Sequence, residues 1–233
     1  MHLYESIPEL VVGFDSETTG LDTSLDEAIS YGLAVYQNGA LVDQHHWFVL
    51  PERPIHEGAQ KVHGVSRELL ENPADDMEVL SVVAGATRAI QYLRVYHARG
   101  ACFVGSNPMF DLSMLQSTMS RHGLHSLKVN QFDVDNIHLV NIVDHDVAIE
   151  PREGSNRPRR GLSFLCEHYQ VRSGGHHAFE DARASVEVFF AQIRHNQDVQ
   201  KQQEVLGRDE DVEKQRGPSE QLHAGLEHKN EKA

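Results

Sequence analysis

An apolar run, Leu10-Val11-Val12-Gly13-Phe14, stands between Pro8 and the turn-forming Thr18-Thr19-Gly20. Short, β-branched and sharply bounded, it predicts a buried strand over residues 10–17. Two more strands are expected at 28–37 and 40–50, joined at Asn38-Gly39, a dipeptide suited to a tight hairpin. A helical period follows, in which Asp75-Asp76 caps a long helix to about residue 97 with Val79, Val83, Ala86, Ile90 and Leu93 on one stripe. Residues 101–105 again read as a strand, broken at Ser106-Asn107-Pro108 before the helical spacing Leu112, Leu115, Met119. Residues 131–135 suggest a fifth strand and 137–142 a helical turn. Helices at 162–170 and 178–195 close the pattern, the last with Phe179, Ala182, Val186, Phe190 and Ile193 on its apolar face. The expected architecture is α/β, a mixed five-stranded sheet flanked by helices.

From Asn196 onward the chain turns to Gln, Glu, Lys and Asp with scattered apolar residues, too few to bury a core. This sets an expected boundary: a folded domain over 1–195 and a polar tail, disordered or helical, over 196–233. The tail reads either as a tether to a larger partner or as an idle extension. Cys102 in a strand pattern and Cys166 on an apolar helix face read as small core residues rather than a disulfide or ligands, which suits a reducing compartment. The polar start Met1-His2-Leu3-Tyr4-Glu5-Ser6 and the absence of a long apolar run predict a cytoplasmic address with no membrane partner.

A formal net charge of −14 argues against broad phosphate binding, which ordinarily shows as excess Lys and Arg. Bound divalent cations can supply positive charge at a phosphate locally without such an excess. Arg152, Arg157, Arg159 and Arg160 concentrate in a Pro/Gly-rich loop. That loop reads either as a solvated connection or as a phosphate clamp, since the guanidinium fork matches phosphate geometry.

Three acidic signatures carry the chemistry. Asp15 and Glu17 lie at the carboxyl end of the first strand, where period-two alternation points both the same way, about 7 Å apart along the strand. Two like charges so placed suit a divalent cation with oxygen ligands, although solvated strand-end acids have the same pattern. Asp111 falls in the first turn of a helix, where the dipole keeps a carboxylate ionised. Asn107, at the turn before it, reads as a turn former or a substrate positioner. Asp181 sits in the first turns of the last long helix, and His176 lies five residues earlier beside Gly174-Gly175, where an imidazole can serve as a proton acceptor. The chain has 16 histidines; His45, His46, His97, His122, His125, His138, His145 and His177 read mostly as surface residues.

Together these residues resemble the DEDDh family of 3′–5′ exonucleases, which includes bacterial proofreading subunits, oligoribonuclease and RNase T. Asp15 and Glu17 meet its Asp-x-Glu motif, Asn107 and Asp111 its Asn-x-x-x-Asp motif, and His176, Ala178, Asp181 and Ala182 its His-x-Ala-x-x-Asp-Ala motif. Val62-His63-Gly64-Val65-Ser66 and Gly161-Leu162-Ser163-Phe164-Leu165-Cys166 are further family-like elements, and the likeness runs over residues 8–195. Glycine-rich phosphate loops, Cys-x-x-Cys pairs and a Gly-x-Ser-x-Gly elbow are absent, which leaves rival chemistries little support.

The resemblance implies a ribonuclease H-like fold and two divalent metal ions, Mg²⁺ or Mn²⁺. Asp15, Glu17 and Asp181 would hold one ion and Asp15 and Asp111 the other, with His176 as general base. It also implies that Thr18, Thr19, Gly20, Leu21, His63 and Asn107 meet the terminal nucleotide. The expected substrate is a nucleic acid 3′ end, single-stranded DNA ahead of RNA, with a DNA polymerase as a partner through residues 196–233. An RNA-trimming enzyme and a non-catalytic polymerase scaffold are the competing readings; the intact acid and histidine set argues against the scaffold.

Overall fold

A computed structural model describes residues 4–124, 138–149 and 161–215, with side chains through Gln203. Its elements run β1 (Leu10–Thr18), β2 (Ala28–Gln37), β3 (Ala40–Leu50), α1 (Glu57–His63), α2 (Arg67–Glu71), β4 (Val79–Ser81) and α3 (Val82–Ala98). They continue with β5 (Cys102–Gly105), α4 (Pro108–Arg121), β6 (Leu139–Asn141), α5 (Ile142–Ile149), α6 (Leu162–His168) and α7 (Ala178–Gln215). Among the described residues the strands form one six-stranded sheet in the order β4-β3-β2-β1-β5-β6. Only β2 runs against the others, because β1–β2 and β2–β3 are antiparallel while β1–β5, β5–β6 and β3–β4 are parallel. The carboxyl ends of β1, β5 and β6 therefore share one edge.

Asn38 and Gly39 take positive φ of 52° and 80°, the backbone a two-residue hairpin demands, and β2 returns directly into β3. Two other expectations change. The helix expected from Asp75-Asp76 begins at Val82, where the Ser81 hydroxyl accepts the Ala84 N–H. Val79 is spent instead on a parallel strand beside Phe48, and Val83 is left exposed. Near residues 137–142 the chain first pairs as β6 along Phe103–Gly105 and becomes helical only at Ile142. A three-residue strand carries too little periodicity to separate it from a helical turn, so partner pairing decides it. The strand expected at 131–135 and the arginine loop of 152–160 lie outside the described residues.

Side-chain alternation along β1 divides the core. Leu10, Val12 and Phe14 pack with Trp47, Ala86, Ile90, Leu93 and Leu115 on the α3/α4 side. Val11 faces the other way, with Val104, Leu165, Val186, Phe189 and Ile193 on the α6/α7 side. Cys102 and Cys166 are free, buried and part of this second core. His145, read as a surface residue from sequence, is buried as well, its Nδ1 2.9 Å from Gln192 Oε1. His46 is half-buried against the rings of Phe48 and His177.

Two glycines let α7 lie unusually close to the sheet. A Cβ at Gly13 would collide with the carbonyl of Ala182, and one at Gly32 with the backbone of Ala178 and Phe179. The amino end of α7 is thereby brought down onto the carboxyl end of β1. Gly13→Ala is expected to cost about 1–3 kcal/mol, because the obstacle is backbone rather than a movable side-chain tip. Urea unfolding measures it, and an unchanged midpoint would show that the packing has slack.

By their contacts the residues divide into two units, Met1–Ile193 and Arg194–Ala233. The first holds the sheet and its helices. The second begins inside α7, whose helix continues through Gln215. No helix among the described residues is long and apolar enough to cross a membrane.

Candidate active site

Beyond Gly13, β1 outruns its neighbour β5: their pairing ends at Gly13 opposite Val104. The next free N–H on that edge belongs to Ser16. Asp111, 5% exposed in the first turn of α4, caps it: one carboxylate oxygen accepts both the Ser16 N–H at 2.9 Å and the Ser16 hydroxyl at 2.6 Å. Ser16 thus ties the second acidic signature to the first. Asp15 and Glu17, on either side of it, project to the α7 face of the sheet.

The third signature arrives with α7. Asp181 is 7% exposed, and its N–H donates to the His177 carbonyl in the first helical turn. Gly174 passes so close that a Cβ there would strike the Asp181 carboxylate. His176 holds a left-handed backbone, φ 62°, uncommon for a residue with a side chain, and its Nδ1 stands 4.0 Å from Asp181 Oδ2. Its ring remains open to solvent.

These groups meet at a cleft of about 640 Å³, lined by Asp15, Glu17, His176 and Asp181 and walled opposite by Ser163, Phe164 and Glu167 of α6. Crowding shows in their acidity. Burial holds Asp15 well above the ordinary carboxylate range, and the charges of Asp111, Glu17 and Asp181 push it further. Burial, with the Asp181 and Asp111 charges, lifts Glu17 to about 7. Burial likewise lifts Asp111 to about 7, although both Ser16 hydrogen bonds pull it down, and raises Asp181 against the pull of His176. No Lys or Arg is among the described residues lining the cleft. Four carboxylates without a cationic side chain among them suit a hard divalent cation with oxygen ligands. Glu17, His176 and Asp181 each offer a ligand atom, all within 4.8 Å of one another.

A prediction follows for the chelated protein. Glu17 and Asp111 titrate higher in the folded state than in the unfolded chain, so between about pH 4 and 7 the folded state binds more protons. Stability contributed by the protonated forms is fully present below the ordinary carboxylate range and is lost as pH rises to about 7. Melting in EDTA should therefore fall across this interval, and added Mg²⁺ should restore most at its upper end. A melting temperature that climbs from pH 5 to 7 in EDTA would contradict the crowding.

A second groove of about 600 Å³ adjoins the first along Ser16 and Glu17 and is walled by Thr18, Gly20, Leu21, His56, Val62, His63 and Phe110. Of the residues read from sequence as substrate contacts, Thr18, Gly20, Leu21 and His63 line it, and Leu21 is 86% exposed. Burial lowers the pKa of His63, whose Nδ1 accepts the Val65 N–H. Thr19 is fully buried, its hydroxyl donating to Asp26 at 2.9 Å, so it braces the turn rather than facing the groove. Asn107 sits exposed at the amino end of α4 and lines neither space. Ser16, Asp26, His56 and Glu167 were not singled out in the sequence. Single polar residues without spacing give no signal there.

The exonuclease family model RNase_T matches residues 12–189, and the chain belongs to this exonuclease family. Among its relatives, the PolC-type DNA polymerase III of Caldanaerobacter subterraneus subsp. tengcongensis is 30% identical over 192 residues, 82% of this chain but 12% of that one. The DNA polymerase III subunit epsilon of Rickettsia prowazekii is 28% identical over 191 residues, 80% of this chain and 74% of that one. The chain thus spans about an eighth of the length of its PolC-type relatives. In fold it is similar to E. coli Exonuclease I in complex with a dA16 oligonucleotide, with a TM-score of 0.59 at 15% identity over 82% of this chain and 43% of that one. The ribonuclease H-like, mixed-sheet architecture is accordingly the fold of this protein, with six strands among the described residues where the pattern predicted five in all.

Proposed function

We propose that this protein is a metal-dependent 3′–5′ exonuclease that releases nucleoside 5′-monophosphates from DNA ends, as a proofreading enzyme does. The observation that carries the reading is the convergence of Asp15, Glu17, Asp181 and His176 on one cleft, with Asp111 from a third segment tied to its edge through Ser16. Asp15, Glu17 and Asp181 would hold one divalent cation, Mg²⁺ or Mn²⁺, and Asp15 with Asp111 a second. Such a pair, when bound, stabilises the attacking and departing oxygens of an in-line displacement at phosphorus. The exposed imidazole of His176 takes the proton of the attacking water. Ser16 keeps Asp111 oriented through its two hydrogen bonds, so Asp111 meets the leaving 3′ oxygen's side of the site without a rotamer search. The apolar second groove receives the terminal nucleotide, with Leu21 against its base and Thr18, Gly20 and His63 around its sugar.

The relatives named as polymerase III proteins support a replication setting in the cytoplasm, with residues 1–195 as the nuclease and 196–233 as a tether to a polymerase. The test is degradation of matched 5′-labelled single-stranded DNA and RNA with Mg²⁺ or Mn²⁺. Stepwise 3′ shortening of DNA ahead of RNA supports the proposal, and a pull-down of polymerase with and without 196–233 then tests the tether. RNA loss ahead of DNA would move the enzyme to RNA trimming. Metal-dependent silence on both would sink the nuclease reading.

A further inference from the structure

The outer wall of the second groove is the turn between β1 and β2, and one buried carboxylate holds that turn. Asp26 is 5% exposed and accepts the Thr19 hydroxyl at 2.9 Å and the Asp22 N–H at 2.8 Å. His56, from the start of α1, brings its Nε2 to 3.2 Å from the same carboxylate. The His56 backbone N–H also donates to the Thr19 carbonyl at 2.9 Å. The α1 end therefore clasps the turn twice, and only the first hold, from the ring to Asp26, depends on the imidazole.

Gly20 lies beneath this clasp: a Cβ there would run into both the Asp26 carboxylate and the His56 ring. The far side of the turn has a separate anchor, since Arg121 of α4 donates to the carbonyls of Ser24 at 2.7 Å and Asp26 at 2.6 Å. Between these anchors runs the span Gly20-Leu21-Asp22, whose Gly20 carbonyl accepts the Thr18 hydroxyl and whose Asp22 carbonyl accepts the Leu25 and Asp26 N–H groups. His56 adds a hold from the α1 side to the span, which carries the exposed Leu21 on the groove's rim.

We propose that His56 is a positioning residue for the terminal nucleotide: its ring latches Asp26 and so fixes the Gly20–Asp22 turn as a preformed wall of the groove. The inference rests on the nuclease reading of the adjoining cleft. A wall already ordered spares an incoming nucleotide the cost of ordering it, so the benefit falls on binding rather than on the chemical step. The contact is a 3.2 Å approach of ring nitrogen to carboxylate with the His56 side chain 67% exposed, which limits its net worth.

Steady-state hydrolysis of a 5′-labelled single-stranded DNA tests this. His56→Ala should raise KM by about three- to ten-fold, the weight of one partly exposed polar contact, with kcat within about two-fold of wild type. His56→Gln, whose amide nitrogen can donate to Asp26, should recover most of the loss. An unchanged KM in active His56→Ala protein, a loss confined to kcat, or no recovery with glutamine would each overturn the latch. Hydrogen exchange gives a reading independent of catalysis: the Leu21 and Asp22 amides should exchange faster in His56→Ala, and equal rates would refute the proposal. Wild-type inactivity on DNA and RNA would instead refute the nuclease reading and leave the exchange test standing.

Discussion

Asp15→Ala is expected to take hydrolysis below detection, a greater loss than the roughly 10²–10⁴-fold that follows from removing a proton acceptor alone. Asp15 stands at the centre of the crowd, since Asp111, Glu17 and Asp181 each raise its pKa by their charge. Under the proposed function it is the acid that would serve both cations, so its removal would break two sites together. The same crowding makes the substitution harmless to folding. Deleting one of several buried like charges relieves repulsion, and the chelated variant should melt at or above the wild-type temperature. Calorimetric titration with Mn²⁺, circular-dichroism melting in EDTA and the labelled-DNA assay check the three parts. A stable variant that keeps about a tenth of wild-type activity would place the cations elsewhere.

His176→Ala should lower kcat by about 10²–10⁴-fold while leaving Mn²⁺ binding close to wild type. The residue is held in a left-handed backbone beside glycines, with its ring in solvent and 4.0 Å from Asp181. An exposed ring on a turn contributes little to the core, so the variant should fold as wild type does. His176→Gln should not rescue, because an amide accepts no proton at neutral pH. Hydrolysis by His176→Ala at the wild-type rate would remove it from the proton path. A proportionate loss of Mn²⁺ affinity would make it a ligand instead, an arrangement its nearness to Glu17 and Asp181 also permits.

The acidic residues that gather near the cleft were legible because their placement is tied to local structure. A carboxylate pair two apart at a strand end faces one way by the pleat, and the place of Asp111 in a first helical turn follows from the local pattern, although burial then lifts its pKa to about 7 where the dipole alone would keep it ionised. The hairpin at Asn38-Gly39 was legible for the same reason. Short-range steric rules decide it.

The weaker readings depended on contacts made across the chain. Val79 belongs by spacing to a helical stripe, yet it pairs with Phe48 because β3 offers it an open edge. His145 is one of sixteen histidines in the sequence and becomes a core residue only when Gln192 of α7 arrives to bind its ring. Thr19 sits among expected substrate contacts but is drawn inward by Asp26. Ser16 looks like a spacer between two acids until Asp111, ninety-five residues away, takes both of its donors.

By itself, then, the sequence determined the alternation that buries β1, the hairpin, the helical face of α7, the acidic motifs and the family to which they belong. The alternation, hairpin and helical face follow from backbone stereochemistry and side-chain periodicity over a few residues, and the family from the resemblance of its motifs, which the match over residues 12–189 bears out. Only the tertiary structure decided that β2 alone runs against the sheet, that Gly13 and Gly32 admit α7 close enough to bring Asp181 to Glu17, and that His56 and Asp26 close one wall of the adjoining groove. Those outcomes depend on close packing and unpaired hydrogen-bonding groups finding partners far along the chain, and no local spacing encodes them.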